Sequence, residues 1–203
     1  MEIKVVNNIN LPGVNVAVDT TESNIVTITV DAYTKRLGDV ASGEVIKIGD
    51  YEYSVLEHTD IGTVVVTHDN IKNIAFGADG DYRTSIVRAF CNGEFYDKLA
   101  KAVGEKNIIK HTVDLTADNG TGTDVTCEDF VSILTADNYR RYRKFLPPTG
   151  KSFWTATRVD VDNPDYARGV RCVGSDGILR WNGCLCDYGV RPFCVLNSSF
   201  SIS

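Results

Sequence analysis

FWTATR (Phe153 to Arg158), VRCVGSDGILRW (Val170 to Trp181) and YGVRPFCVLNS (Tyr188 to Ser198) follow one another near the end of the chain. Each block carries a short apolar or aromatic run of the kind that forms strands. The turn sequences Gly174 to Gly177 and Asn182-Gly183 lie among these runs. This spacing predicts a series of short strands joined by tight turns.

The residues upstream of these blocks predict a mixture of strands and helices. Gly49-Asp50 separates EVIKI from YEYSVL and predicts a hairpin, and TVVVT (Thr63 to Thr67) predicts a third strand. Asp81 to Val103 has the apolar spacing of a helix. Because Asn92-Gly93 interrupts this spacing, we expect two short helices rather than one.

Local signals also mark the ends of the helices. Thr84 or Ser85 is placed to cap the first helix. FVSIL predicts a strand, and Thr135 is the expected N-cap of a helix over ADNYRRYRKFL that ends at Pro147-Pro148. The predicted fold class is therefore α+β, with two or three short helices flanking small twisted antiparallel sheets.

The first forty residues form a separate unit in this prediction. Around Val16 and Ile28, apolar residues alternate with small or polar ones, which is the pattern of strands buried on one face. Turn-forming residues between Asp19 and Asn24 then predict a β-hairpin. Because an isolated hairpin is marginal in water, it must pack on the following domain, on a copy of itself or on a partner. Tyr33 to Glu44 predicts a linker, which gives domains at 1–40 and 41–203.

Composition argues against several classes of protein. The 203 residues are 43% hydrophobic and 24% charged, which suits one domain with an appendage. A net charge of −6, with acidic and basic residues interspersed, gives no basic surface, so no nucleic acid partner is expected. The first residues lack the pattern of a secretory signal, and no apolar run reaches membrane length. We therefore expect neither Sec export nor membrane insertion.

Cysteine is the residue type that most invites a chemical interpretation here. Cysteine is often buried, so we favour reduced cysteines packed in the core, with disulfides as the alternative. Cys184 and Cys186 could suggest zinc, but one residue between them is too short a spacer for a metal knuckle. The histidines are also distant in sequence, so no metal and no cofactor is expected. The six cysteines are Cys91, Cys127, Cys172, Cys184, Cys186 and Cys194.

Six blocks, taken in order, resemble an uncharacterised domain family of the C-type-lectin-like superfamily. That family is frequent in prophages and in surface proteins of Gram-positive gut bacteria. The blocks are GEVIKIGDYEYSVLE, SIVRAFCNGEFYDKL, VSILTADNYRRY, FWTATR, VGSDGILRW and GVRPFCVLN, and they cover about residues 43 to 199. The resemblance implies a C-type-lectin-like fold that displays a surface, and it supplies no ligand.

Several residues within these blocks have structural interpretations. We interpret Arg88 and Arg191 as arginines that bridge carbonyl oxygens across the sheet, and Trp154 as a core residue. Trp181 directly precedes a turn, so a core position and a rim position that faces a ligand are equally consistent with the pattern. Pro192 has no N–H, so we expect it at the start of a strand or at an unpaired position.

Two activities known in the superfamily fit this chain poorly. Formylglycine-generating enzymes would require a reactive cysteine pair several residues apart, whereas one residue separates Cys184 from Cys186. Calcium-dependent sugar binding would require Trp-Asn-Asp after an acidic loop. Here Asp160 to Asp165 precedes Trp181-Asn182-Gly183. Because no GxSxG, HExxH or P-loop signature occurs either, we expect no enzyme.

The leading functional hypothesis is a non-catalytic virion surface protein of a bacteriophage or prophage, as a capsid decoration or a tail or fibre accessory. The N-terminal β unit would attach the chain to other virion proteins, and the lectin-like domain would be displayed. We expect a homo-oligomer or an assembly on the particle. Such a protein is made in the bacterial cytoplasm and leaves by lysis, which requires no signal peptide.

An alternative is an adhesin that resembles the ligand-binding proteins diversified by retroelements and binds a host-surface glycan or protein. The loops from Thr155 to Arg168 and from Arg180 to Tyr188 carry residue types that such surfaces favour. The candidate ligand-binding residues are Arg158, Tyr166, Arg168, Trp181, Asn182 and Tyr188. A third hypothesis is a formylglycine-generating-like oxidase that uses Cys184 and Cys186.

Overall fold

The computed structural model describes residues 14–19, 27–32, 35–123 and 125–202. The strands, numbered in chain order, are β1 (Val14–Asp19), β2 (Thr27–Ala32), β3 (Lys35–Arg36), β4 (Val45–Ile48), β5 (Tyr51–His58), β6 (Thr63–Thr67), β7 (Lys72–Ala75), β8 (Ile108–Ile109), β9 (His111–Asp114), β10 (Thr126–Asp129), β11 (Val131–Ile133), β12 (Phe153–Arg158), β13 (Gly169–Val173), β14 (Leu179–Gly183), β15 (Asp187–Val190), β16 (Pro192–Leu196) and β17 (Ser201–Ile202). The helices are α1 (Ile86–Phe90), α2 (Tyr96–Val103) and α3 (Ala136–Tyr142). Strands predominate, and the predicted mixed α+β class with several antiparallel sheets is confirmed.

Strands β1 and β2 pair antiparallel near the start of the chain. Val16 lies opposite Val30 in this pairing. The pairing agrees with the hairpin predicted from the sequence. Of the predicted turn from Asp19 to Asn24, all residues after Asp19 lie outside the described ones.

The segment predicted as a linker, Tyr33 to Glu44, belongs to the folded body from Lys35 onward. Strand β3 pairs antiparallel with β17, and the side chains of Leu37 and Val40 are buried in the main core. The linker prediction is therefore wrong for this part, while Tyr33 and Thr34 lie outside the described residues. Leu37 and Val40 are set among polar residues, so the sequence shows no periodic spacing of apolar residues that would indicate their burial. The proposed boundary near residue 40 stays a prediction.

A six-stranded sheet lies between two apolar layers. Its order is β11-β16-β6-β5-β4, with β8 also paired to β16, and all its pairs are antiparallel. Every residue of β6 is buried. Val65 belongs to the main core, whereas Val64 and Val66 belong to a second core beside α3. Both faces of β6 are covered, which explains its continuous apolar sequence.

A five-stranded sheet carries most of the C-terminal blocks. Its order is β14-β13-β12-β15-β7, so β14 and β7 form its edges. The β12–β15 pair is parallel, and the other pairs are antiparallel. The pairing of β12 with β13 shifts register between Trp154 and Arg158. Of these strands, β7 was not predicted, because its sequence KNIA shows no clear alternation of apolar and polar residues.

The helical segment after Ser85 is continuous, which corrects the prediction of two helices separated at Asn92-Gly93. A π-helical segment, Cys91–Phe95, joins α1 to α2. The Asn92 side chain donates to the Val131 carbonyl oxygen at 2.8 Å, and the Val131 N–H donates to the Asn92 side-chain oxygen at 3.3 Å. A tertiary contact thus offsets the poor helix propensity of Asn-Gly. The predicted capping role of Ser85 is confirmed by a 3.0 Å bond from the Arg88 N–H.

Helix α3 begins and packs as the sequence predicts. Thr135 accepts from the Asn138 N–H at 3.0 Å, and the Asn138 side chain accepts from the Thr135 N–H, which completes a capping box. Tyr139 and Tyr142 point into the second core. The Tyr139 hydroxyl also donates to the Gly177 carbonyl oxygen at 2.7 Å. This contact ties the helix to the turn between β13 and β14.

Candidate functional site

Two aromatic side chains meet at the exposed edge of the five-stranded sheet. Trp181 lies on edge strand β14 and is 50% exposed, and Tyr166, in a short 3₁₀ turn, is 36% exposed. Their rings are 5.5 Å apart and nearly perpendicular. The rim interpretation of Trp181 is therefore the one that the structure favours over a core position. We call Tyr166 and Trp181 the aromatic pair.

Asn182 and Tyr188 connect the aromatic pair to the core. The Asn182 side-chain amide donates to the Tyr188 hydroxyl at 2.8 Å. The Tyr188 ring packs edge-on against Trp154, with centroids 4.8 Å apart. Trp154 is fully buried, as predicted, and its indole N–H donates to the Ile74 carbonyl oxygen at 3.0 Å. Asn182 and Tyr188 are both partly exposed. Tyr188 therefore supports Asn182, the residue that follows Trp181.

Arg158 and Arg168 occupy different environments, although both were predicted to contact ligand. Arg168 is exposed beside Tyr166, whereas Arg158 is partly buried at the end of β12. The Arg158 Nη2 atom donates to the Ala167 carbonyl oxygen at 3.2 Å. Arg158 thus lies behind the loop that carries Tyr166. Of the six candidate residues, Tyr166 and Trp181 make ring contact, and Asn182 and Tyr188 share a hydrogen bond.

The Gly-x-Arg-Pro block has a structural explanation at each position. A Cβ atom on Gly189 would meet the Asn70 side chain at 1.8 Å, so any larger residue there must displace Asn70. Arg191 is 2% exposed and donates to the carbonyl oxygens of Thr67 and His68, at 3.0 and 2.9 Å. Burial lowers the pKa of Arg191 to about 10. Its predicted carbonyl-bridging role is confirmed, and Pro192 starts β16 as expected.

Arg88 has a structural partner of a different kind from the one predicted. Its Nε and Nη2 atoms donate to the Asp129 carboxylate at 2.9 and 2.7 Å, and its Nη1 atom donates to the Arg83 carbonyl oxygen at 3.1 Å. The Asp129 side chain is 1% exposed. This hydrogen bonding raises the pKa of Arg88. The arginine therefore compensates a buried carboxylate, rather than bridging carbonyl oxygens alone.

The six cysteines are all free in the structure. Cys184 is buried and Cys186 is exposed, so the two thiols of this pair differ in access to solvent. Burial raises the pKa of the Cys184 thiol, which disfavours its thiolate. Burial also raises the pKa of Cys172 and of Cys127, each to about 11. The Cys186 Sγ atom lies 3.5 Å from the Asn182 side-chain oxygen.

The acidic loop considered for calcium is organised by its own backbone. The Asp160 carboxylate accepts from the N–H groups of Asp162 and Asn163, at 2.8 and 3.2 Å, and from the Thr121 hydroxyl at 3.3 Å. These bonds lower the pKa of Asp160. Within the described ranges, no group of three or more His, Cys, Asp or Glu side chains is placed to hold a metal ion.

Some exposed apolar residues near the aromatic pair were not identified from the sequence. Ile178 precedes β14 and is 50% exposed, and Leu185 follows it and is also exposed. Both lie in turns, where an apolar residue gives no periodic signal. Their exposure follows from the position of β14 at the edge of the sheet.

No protein-family model, no curated protein and no solved structure matches this chain. None of the helices in the described residues has both the length and the apolar character needed to span a membrane. The resemblance to the C-type-lectin-like superfamily therefore stays a prediction, and the site is described by its geometry alone.

Proposed function

We propose that this protein is a non-catalytic virion surface protein of a bacteriophage or prophage, with a C-type-lectin-like domain that binds a host-surface ligand through the aromatic pair. The ligand is a glycan or a protein.

The exposed aromatic pair is the observation that carries the binding part of this proposal. Large aromatic side chains bury much apolar area when they are covered, and they are enriched at binding surfaces. Trp181 and Tyr166 each leave a third or more of their surface in water. The ring of Tyr166 restricts Trp181 on one side, so the pair presents a surface that is ordered before binding.

The residues around the pair supply the polar contacts that such a surface needs. Arg168 is exposed on the same loop as Tyr166, and Asn182 follows Trp181 directly. Arginine and asparagine offer several hydrogen-bond donors to glycan hydroxyls or to peptide carbonyls. An aromatic centre with polar neighbours is the usual composition of a binding patch.

The virion setting is supported by the N-terminal strands and by the resemblance. Strands β1 and β2 form a two-stranded ladder, and such a ladder is marginal unless it packs on something else. A virion partner would provide that surface. Cryo-EM or mass spectrometry of purified particles is expected to find this polypeptide. Particles that lack it would overturn the virion assignment and favour the adhesin alternative.

Substitution of the aromatic pair tests the binding part. Trp181→Ala and Tyr166→Ala are each expected to reduce adsorption to host cells or glycan-array signals at least ten-fold, because interface aromatics contribute about 2 kcal/mol or more. Ile178→Ala is the matched control, since Ile178 and Trp181 are equally exposed at 50%.

Two outcomes would count against the aromatic pair as the binding surface. Arrays that stay blank with and without calcium, together with unchanged adsorption by both variants, would refute it. A loss of the same size in Ile178→Ala would mean that the whole edge of the sheet, rather than the pair, contacts the ligand.

A further inference from the structure

Strand β14 is an edge of the five-stranded sheet, so part of its backbone faces outward, away from the sheet. The Cys184 N–H donates to the Arg168 carbonyl oxygen at 2.8 Å, which extends the β13–β14 pairing. Because backbone groups alternate in direction along a strand, those of Leu179 and Trp181 point away from β13. Among the residues that the structure describes, none bonds to the N–H or C=O groups of these two residues.

The backbone groups on either side of this stretch are already bonded. The Gly183 carbonyl oxygen accepts from the Cys186 N–H at 3.0 Å, and the Gly183 N–H donates to the side chain of the preceding asparagine at 2.8 Å. At the other end, the Gly177 carbonyl oxygen accepts from the Tyr139 hydroxyl at 2.7 Å. The unpaired part of the edge is therefore limited to Leu179–Trp181, with free groups at its first and third residues. We call these three residues the open segment.

The open segment lacks the protection found at an edge of the six-stranded sheet. On edge strand β11, the Asn92 side chain bonds both the N–H and the C=O group of Val131. On β14, Arg180 could block pairing, as charged side chains on edge strands do. However, Asp176 binds the Arg180 guanidinium at 2.5 and 2.8 Å. The guanidinium lies over the end of β13, because a Cβ atom on Gly174 would meet its Nη1 atom at 2.1 Å. The charge is thus held away from the open edge.

Exposed apolar side chains surround the open segment. Ile178 and Trp181 are each 50% exposed, Leu185 is 63% exposed, and Tyr166 contacts Trp181. An edge strand with unpaired backbone groups and exposed apolar residues is a template for pairing with another strand. The backbone groups therefore indicate that a strand, rather than a side-chain surface, covers this edge.

We propose that two copies of this protein pair through their open segments, with the two β14 strands antiparallel about a two-fold axis at Arg180. In this register Leu179 of each copy lies opposite Trp181 of the other, and four backbone hydrogen bonds form. The length of the open segment is the reason for choosing a second copy. If the axis moved to Leu179 or to Trp181, one residue with free groups would lie opposite Gly177 or Gly183, whose groups are already bonded.

This pairing would join two aromatic pairs into one surface. Opposite residues on antiparallel strands point to the same face, so both Trp181 rings would lie on one side of the joined sheet. The two tryptophans would be diagonal neighbours, about 7 to 8 Å apart, each flanked by its own Tyr166. Both copies would then contribute to one ligand surface. This consequence rests on the proposed function, whereas the pairing itself does not.

Sedimentation velocity of the full chain, from about 1 μM to about 1 mM, measures the pairing. The contact is short, so we expect a dimer with a dissociation constant on the order of 100 μM. Leu179→Pro removes an outward N–H that β13 does not use, and with it two of the four bonds between copies. It is expected to weaken the dimer at least ten-fold. Leu179→Val keeps the N–H and is the matched control, and circular dichroism checks that both variants are folded.

A second variant tests why the edge is open. Asp176→Asn removes the charge that holds Arg180, while its side-chain oxygen still accepts from the Ile178 N–H, a bond of 3.1 Å in the wild type. The two released arginines would then lie opposite each other, where like charges are destabilising. We expect the dimer to weaken about three-fold, and this loss should diminish at high salt.

A cysteine cross-link tests the register, in a Cys186→Ser background because Cys186 is exposed. Arg180→Cys would place two thiols opposite each other in a non-hydrogen-bonded pair, with Cα atoms about 4.5 Å apart, which a disulfide can span. Ile178→Cys is the control, since its Cα atoms in the two copies would be about 14 Å apart. With oxidised glutathione as the oxidant, non-reducing gels are expected to show a linked dimer for the first variant alone.

Several results would overturn the proposal. A protein that stays monomeric at about 1 mM would refute it. Equal cross-linking through Ile178→Cys, or a dimer unchanged by Leu179→Pro, would show that another surface joins the copies. A monomer whose host adsorption is lost in Trp181→Ala would refute the pairing and retain the aromatic pair as the binding surface. A dimer whose adsorption is unchanged in Trp181→Ala would refute the proposed ligand surface and retain the pairing.

Discussion

The two tryptophans of this chain lie on the same five-stranded sheet and have opposite roles. Trp154, on the central strand β12, is fully buried and packs against Phe76 and Tyr188. Trp181, on edge strand β14, is half exposed and contacts Tyr166. The difference shows that strand position in the sheet, not residue type, decides whether an aromatic side chain stabilises the fold or is free to bind.

Removal of the buried tryptophan should have the largest effect. Trp154→Ala is expected to lower the free energy of unfolding by about 3 to 5 kcal/mol, because it leaves a cavity and removes a hydrogen bond to Ile74. Urea denaturation followed by circular dichroism measures this change. Trp154→Phe keeps most of the volume and should cost less. A loss below about 1 kcal/mol for the alanine variant would contradict the framework role.

The glycine of the Gly-x-Arg-Pro block tests how tightly the framework is packed. Gly189→Ala is expected to cost about 1 to 3 kcal/mol, because the new methyl group must displace the Asn70 side chain from its 3.0 Å bond to the Ser152 carbonyl oxygen. The double variant Asn70→Ala/Gly189→Ala should lose less than the sum of the two single losses. Strict additivity in thermal or urea unfolding would show that the two positions do not clash.

Two tyrosines on α3 allow a test of how stability depends on pH at the boundary between buried and exposed regions. The Tyr142 hydroxyl donates to Glu57 at 2.7 Å, and this bond, with help from Arg141, lowers the pKa of Glu57. A depressed carboxyl pKa stabilises the fold above the unfolded-state pKa of about 4.3, and this stability is lost as the pH falls through the folded-state value. Tyr142→Phe should therefore cost about 1 kcal/mol at pH 7 and less in acid.

Tyr139→Phe is the control for this pH dependence. Its hydroxyl donates to the Gly177 carbonyl oxygen, which does not titrate. The loss in this variant is therefore expected to stay constant between about pH 3 and pH 7, a range that spans the ordinary carboxyl pKa. Parallel pH profiles for the two variants in urea unfolding would show that the Tyr142 bond contributes nothing through Glu57.

The exposed tryptophan should give the smallest change in stability. Trp181→Ala is expected to lower the free energy of unfolding by only about 0.5 kcal/mol, since it removes one half-exposed aromatic contact with Tyr166 and leaves no buried cavity. Chemical denaturation measures it beside Trp154→Ala. A loss above about 1.5 kcal/mol would mean that the aromatic pair is part of the framework, and the contrast between the two tryptophans would disappear.

Several features that depend on residues close together in sequence were predictable, and they share one physical reason. The Gly49-Asp50 turn, the Ser85 cap and the Thr135 capping box each depend on a few consecutive residues that satisfy their own backbone groups. Strand β6 was also predicted, from its run of β-branched residues, although its burial on both faces was not. The α+β class follows from these local signals together.

Features set by distant residues were not predictable in this way. Asn92 continues a helix that its propensity would interrupt, because Val131 lies beside it. Leu37 and Val40 enter the core because β3 pairs with β17, far along the chain. Arginine is a residue type common at ligand-binding surfaces, so Arg158 was predicted to contact a ligand. In the structure, the loop containing Ala167 covers Arg158, which lines a cavity.

The sequence by itself determined several of the strands, turns and helix caps, because each of these is stabilised within a few residues. Only the tertiary structure decided which tryptophan is buried and which arginine is partly buried beneath a neighbouring loop. Those outcomes depend on the order of strands in the sheet, and that order brings together residues that no local pattern relates.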